Sequence, residues 1–234
     1  MGDNKNTETS SAKDISIFHP KTILLASVLT GGFLASYGWY KRHLVRVPTA
    51  LDIPTNHFRQ KFSVGYVTSV GDGDNFHFFH TPGGVFAGWG WLRHPPTARK
   101  QLTKQTWSVR LCGVDAPERA HFGKPSQPFA DDSLAWLRQY VLHQKVKVKP
   151  LRIDQYNRVV SKVLIKKWGV ITKDVGEEML KNGIAVVYEN QAGSEFDGQE
   201  AIYRRCEKKA KQQKLGLWGV QHTLTPGQYK RKYR

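Results

Sequence analysis

The spacing of apolar and polar positions changes several times along the chain. From Thr22 to Tyr40 the run TILLASVLTGGFLASYGWY holds no charged residue and is apolar on every side. That suits a helix crossing a hydrocarbon core, which needs about 20 residues, better than a core helix with one apolar stripe. Beyond Pro54 the period shortens. The runs FSVGYVTSV (Phe62–Val70), NFHFFH (Asn75–His80), SVRLCGV (Ser108–Val114), KVKVKP (Lys145–Pro150) and RVVSKVLI (Arg158–Ile165) predict five strands. Three other segments have helical spacing. Gln127–Gln144 puts Leu134, Leu137 and Val141 on one face, with Asp131 and Asp132 near its start; about Thr172–Asn182 carries Val175, Met179 and Leu180; about Ser194–Gln213 carries Ala201, Ile202, Cys206 and Ala210.

Five short, mainly antiparallel strands with about three helices predict an α+β, mainly β class: a five-stranded Greek-key barrel of OB type, a fold that often binds oligonucleotides. The expected divisions are a polar segment 1–21, a transmembrane helix 22–40, a linker 41–61, a barrel domain 62–219 and a basic tail 220–234 whose default state is a disordered, solvated end. Residues of about 81–104, rich in Gly, Pro and Trp, interrupt the barrel as a long excursion between the second and third strands. Three roles stay open for that insertion: shaping a nucleic-acid groove by stacking, packing on a membrane, or covering the barrel.

Charge adds a partner class. The 234 residues include 36 Lys and Arg against 19 Asp and Glu, a formal charge of +17. Such a surplus points to nucleic acid or phospholipid headgroups rather than to a merely solvated surface. Only Cys112 and Cys206 are present, which excludes a disulfide framework or a cysteine zinc pattern and leaves both as buried small hydrophobes. Before the apolar run, Lys5, Lys13 and Lys21 are matched by Asp3, Glu8 and Asp14, whereas Lys41, Arg42 and Arg46 follow it unmatched. That bias keeps the following domain on the cytosolic or equivalent side. A cleaved signal peptide competes with the anchor reading, but the run starts late and leads into KRHLVR instead of a small-residue cleavage site. The N-terminus also lacks the Arg-rich amphipathic character of a transit peptide.

Acids gather at the predicted strand ends: Asp72 and Asp74 in GDGDN, Asp115 and Glu118 in GVDAPE, and Asp154 in DQYNR. Convergent carboxylates make the hard-oxygen surroundings that Ca²⁺ or Mg²⁺ prefers, although an Asp-Gly pair alone is ordinary turn chemistry. An EF-hand is excluded, because counting from Asp72 puts His77 where its invariant Gly belongs and Gly83 where its Glu belongs. Arg110 on a strand and Arg158 just after a turn serve no core unless paired, and each could equally make a structural ion pair with an acid. His77, His80, His94 and His121 raise a histidine-metal chemistry. Strand geometry sends His77 and His80 to opposite faces, which leaves solvated or core histidines as the better reading.

The motifs GDGDN, VRLCGVDAPE, DQYNR and the closing KLGLW resemble, in order and spacing, the staphylococcal nuclease (thermonuclease-like) domain over Phe62 to Trp218. With the apolar run and the insertion, the chain is similar to fungal membrane-anchored endonucleases of the long-chronological-lifespan type. The resemblance implies a mitochondrial single-pass membrane protein and a Ca²⁺-dependent endonuclease acting on DNA or RNA, with a preference for single strands expected of an OB groove. It implies that Asp74 and Asp115 hold Ca²⁺ through carboxylates, with the backbone carbonyl of Ala116 as a further ligand. Glu118 would be the general base, while Arg110 and Arg158 would brace the phosphate and its transition state. Ala116 and Asn75 stand where Thr is common, and Asn157 stands where Gly is usual. The alternative is a catalytically silent OB-type binding or scaffold module tethered to a membrane; the presence of all five functional side chains argues for the enzyme.

Overall fold

The computed structural model describes residues 20–120, 123–189, 194–220 and 224–233, in two compact units that divide after Val45. The expected polar segment up to residue 19 and His121 lie outside the described residues. In the first unit, α1 (Pro20–His43) spans 24 residues and contains the apolar run. It is about 36 Å long at 1.5 Å per residue, enough to cross a bilayer core. Lys41, Arg42 and His43 close its last turn, where positive charge complements the helix dipole.

The second unit runs from Arg46. Its elements are β1 (Ser63–Asp72), β2 (Asn75–His80), α2 (Arg99–Leu102), β3 (Trp107–Leu111), β4 (Val114–Asp115), α3 (Ala130–Val141), β5 (Lys145–Ile153), β6 (Val159–Lys167), β7 (Ile171–Asp174), α4 (Val175–Lys181), β8 (Val186–Val187), α5 (Glu200–Gln212) and α6 (Pro226–Lys232). The main sheet is ordered β3-β2-β1-β5-β6-β7 with antiparallel neighbours. It closes because the first residues of β6 also pair in parallel with β3, from Val109 opposite Val159 to Leu111 opposite Ser161. The five expected strands are therefore the five staves of a barrel, and β7 adds to the far end of β6. Inside, alternate residues such as Phe76, Phe78, Trp107, Val109, Val146, Val148, Val163 and Ile165 are buried, as period-2 burial requires.

α3 lays Leu134, Leu137 and Val141 on this core as their spacing predicts, and α4 does the same with Val175, Met179 and Leu180. Several boundaries differ from expectation. The second helix begins at Val175, because Thr172 and Lys173 pair with β6 and Asp174 caps α4 by accepting from the Glu177 N–H. α5 begins at Glu200 and buries Tyr203, Cys206 and Ala210, while Ala201 and Ile202 face outward. Tyr203 sits at the position that completes the stripe, and its hydroxyl donates to Asp174 at 2.8 Å. The tail is not a solvated end over its described part. α6 starts with Thr225 accepting from the Gln228 N–H and Pro226 at its first position, both strong helix starts, and buries Tyr229. Arg46 to Lys61 also packs: Ala50 and Ile53 join the core.

Candidate active site

Two turns build the site. The first joins β1 to β2 through Asp72-Gly73-Asp74. A Cβ at Gly73 would stand 2.7 Å from that of Ala116, so glycine lets this turn close onto the segment carrying Asp115. The Leu111 N–H donates to the Asp74 carbonyl at 3.0 Å, and β4 pairs Asp115 with Val186 of β8. Asp74 and Asp115 are consequently both buried. Arg110, at the end of β3, spans them: Nη1 lies 2.7 Å from Asp74 Oδ2 and Nη2 lies 2.9 Å from Asp115 Oδ1. The planar fork of Arg suits this double contact. Burial pushes the Asp115 carboxyl above its usual range, reinforced by Asp74 and opposed by Lys230 and Arg110. Burial likewise raises Asp72, with Asp74 and Glu118 adding repulsion.

Glu118 follows in the loop after β4. Its N–H donates to Gln127 Oε1 at 2.8 Å and its carbonyl accepts from the Gln127 N–H at 2.9 Å. The buried Gln127 amide also donates to the Leu224 carbonyl at 3.0 Å, so one side chain fixes the Glu118 backbone and ties it to the segment before α6. From α6, Lys230 Nζ lies 3.0 Å from each Asp115 carboxylate oxygen and 2.9 Å from Glu118 Oε1. A single ammonium thus marks how close those two carboxylates are.

Arg158 reaches the site from the turn between β5 and β6. Asp154 organises that turn by accepting from the N–H groups of Tyr156 and Arg158 at 2.9 and 3.0 Å and from Arg158 Nε at 2.8 Å. Burial acts to raise the Asp154 carboxyl, yet these hydrogen bonds hold it below its usual range. Asn157 adopts φ 59°, the left-handed backbone that Asn tolerates best after Gly. Arg158 and Arg110 line one cleft of about 870 Å³, together with Asp72, Asp74, Glu118 and Arg152. Tyr156, Tyr188, Tyr229 and Tyr233 supply aromatic surface around the same cleft.

The expected site residues Asp74, Arg110, Asp115, Ala116 and Glu118 are thus gathered at one end of the barrel, with Arg158 on the rim. Both arginines are paired with carboxylates, Arg158 with the acid of its own turn. Gln127, Arg152, Tyr188 and Lys230 escaped the sequence reading. For Lys230 the signal was present in YKRKYR, but nothing in that run says that it folds back onto Asp115. Among the described residues no histidine lines the cleft: His80 is buried and accepts from the Val47 N–H at 3.0 Å, while His77 faces outward.

Among the described residues, no group of three or more His, Cys, Asp or Glu is arranged to enclose a metal ion. The site offers a pair of buried carboxylates with the main chain at Ala116. Their donors are hard oxygens and already draw in two cationic side chains, Arg110 and Lys230. That donor set fits a hard divalent cation and does not fit a soft metal.

Residues 108–220 match the family model described as staphylococcal nuclease homologue. The curated protein named probable endonuclease LCL3 of Komagataella phaffii is 56% identical over 226 residues, covering 96% of this chain and 99% of that one. Its namesake in Scheffersomyces stipitis is 50% identical over 226 residues, covering 96% of each chain. The Clavispora lusitaniae protein of the same name is 49% identical over 234 residues, covering 99% of this chain and 100% of its own. The carboxylates, arginines and barrel described above therefore belong to a member of the staphylococcal nuclease homologues, within the group formed by these fungal relatives.

Proposed function

We propose that the protein is a membrane-anchored, Ca²⁺-dependent endonuclease that hydrolyses phosphodiester bonds of DNA or RNA. The observation that carries this reading is the convergence, beside one arginine-lined cleft, of Asp74 from the β1–β2 turn with Asp115 and Glu118 from β4 and the loop after it, segments far apart in the chain. Asp74, Asp115 and the Ala116 carbonyl would hold Ca²⁺, which when bound supplies Lewis-acid stabilisation of phosphate charge and a fixed template. Glu118, held by Gln127, takes the proton from the attacking water. Arg158 pairs with non-bridging phosphate oxygens and stabilises the charge that grows on them in the transition state. Arg110 does the same from the cleft floor while neutralising Asp74 and Asp115. The exposed Tyr156 and the half-buried Tyr188 and Tyr233 at the cleft suit sequence-tolerant stacking of single-stranded bases. α1 tethers the enzyme to a membrane, which the fungal resemblance implies to be mitochondrial.

The position of Lys230 favours a second reading, in which α6 occupies the acidic site and the domain binds without cleaving. Cleavage of single-stranded DNA and RNA by the detergent-solubilised full chain, with Ca²⁺ or with chelator, separates the two. Ca²⁺-dependent cleavage that collapses in Glu118→Gln supports the enzyme. Folded, Ca²⁺-saturated protein that binds both polymers and cuts neither supports the silent module.

A further inference from the structure

The insertion between β2 and β3 presents an apolar knob that the barrel does not use. Trp89 is its internal anchor: buried, it meets the Phe79 ring edge-on at 5.8 Å and donates from Nε1 to the Pro82 carbonyl at 3.1 Å. Backbone bonds from the Trp89 N–H to Gly84, from the Gly90 N–H to Arg93 and from the Leu92 N–H to Gly88 tie the loop to itself. Gly90 adopts φ 100°, a backbone conformation that other residues rarely take, beside the Tyr66 hydroxyl of β1, so glycine suits the loop at this point. On this ordered frame Phe86 is fully exposed, and Trp91 and Leu92 are 67% and 70% exposed. Fixing several large apolar side chains outward on a structured loop marks an interaction surface rather than scattered surface hydrophobes.

Two of the roles left open by the sequence are thereby reassigned. Covering the barrel falls to Trp89 and the buried residues around it, Thr81, Pro82, Gly84 and Gly88. No residue of 81–104 is among the described residues lining the acidic cleft, so the knob does not shape that groove. Its surroundings are basic: residues 81–106 contain Arg93, Arg99, Lys100 and Lys104 and no acid. The root of the insertion is also where the chain enters this unit. The Val47 N–H donates to His80, the Trp107 indole donates to the Val47 carbonyl at 2.9 Å, and Arg46 donates to Gln105. The segment preceding that point is α1, the one described helix whose length and composition fit a bilayer.

We propose that the tip of the insertion, Phe86, Trp91 and Leu92 with Arg93 and the basic residues after it, is a second membrane contact that seats in an anionic phospholipid surface. Aromatic and aliphatic side chains enter the headgroup and acyl boundary, while the cations meet lipid phosphates. The inference rests on the membrane part of the function proposed above and not on catalysis.

The test uses the full chain reconstituted into phosphatidylcholine vesicles with or without phosphatidylglycerol. An environment-sensitive fluorophore is placed on Phe86→Cys, on Leu92→Cys, and on Gln212→Cys as an exposed position of α5; the native Cys112 and Cys206 are buried. Labels at 86 and 92 are expected to shift to the blue and to lose most of their quenching by aqueous iodide, more so with phosphatidylglycerol, while the label at 212 stays quenched. Two labelled positions guard against one substitution disturbing the loop. Labels at 86 and 92 that remain as quenched as that at 212 overturn the proposal. Protection that appears only with added oligonucleotide, or only as protein concentration rises, also overturns it, in favour of nucleic acid or a second copy. Resistance to alkaline extraction reports on α1 separately, so failure of the anchor and failure of the knob are distinguishable.

Discussion

The floor of the cleft and its rim each present an arginine held by aspartate, but they are built in opposite ways. On the floor, Arg110 bridges Asp74 and Asp115, which arrive from the β1–β2 turn and from β4 and are buried by barrel closure. On the rim, Arg158 pairs with Asp154 four residues earlier, within a turn that Asp154 also organises through backbone N–H groups. The floor is assembled by the fold, so its charges are tied to stability and, on the function proposed above, to chemistry as well. The rim turn largely makes itself, so its arginine is separable from the fold.

The sharpest way to break this contrast is Arg110→Ala. Leaving Asp74 and Asp115 buried without their shared cation should cost about 3–5 kcal/mol in denaturant unfolding and abolish cleavage with it. A stability change under ~1 kcal/mol, the ordinary value for exposed pairs, would show that the floor is not a buried triad. Glu118→Gln is next. Its backbone contacts to Gln127 survive, so cleavage should fall roughly 10²–10⁴-fold, the usual worth of a general base, with an unchanged unfolding midpoint.

Arg158→Ala should lower the turnover number about 10²–10³-fold, comparable to losing one transition-state donor. Stability should change by no more than ~1 kcal/mol, since the Tyr156 and Arg158 N–H groups still hold Asp154. Equal losses of stability in Arg158→Ala and Arg110→Ala would erase the distinction. Lys230→Gln removes a half-exposed cation from Asp115 and Glu118. Ca²⁺ affinity measured calorimetrically should rise about fivefold, the scale of one ~1 kcal/mol charge contact.

The smallest effect separates the two regions by sign. Asp154 titrates below its usual range, so its contribution to stability is present above the unfolded carboxylate pKa and is lost as pH falls through the folded value. Asp115 titrates above its usual range, so the folded state keeps its proton longer, and stability declines as pH rises from the unfolded value through the folded one. Carboxyl carbon chemical shifts, followed against pH without added Ca²⁺, should show Asp115 ionising after Asp154. The reverse order would contradict the burial of the floor.

Much of the barrel was legible because its cause is local. Alternation in FSVGYVTSV, NFHFFH and VVSKVLI follows from strands with one face inward, and the stripe of Leu134, Leu137 and Val141 follows from helical period. Long-range pairing overrides local pattern at Thr172 and Lys173, which have helical spacing but are claimed by β6. The two-residue strands β4 and β8 have no periodicity to detect, yet their pairing holds Asp115 in place.

By itself the sequence determined the five staves, a helix over the uncharged run 22–40 that the structure extends to Pro20–His43, the surplus of positive charge and the acidic and arginine motifs, because composition and period act over a few residues. Tertiary structure alone decided the parallel β3–β6 closure, the meeting of Asp74 with Asp115 across Arg110, the clamp of Gln127 on Glu118, the return of Lys230 to the acids and the outward knob of the insertion. Each of these joins residues distant in the chain or depends on which side chains the core leaves uncovered, and neither is encoded in the spacing of neighbouring residues.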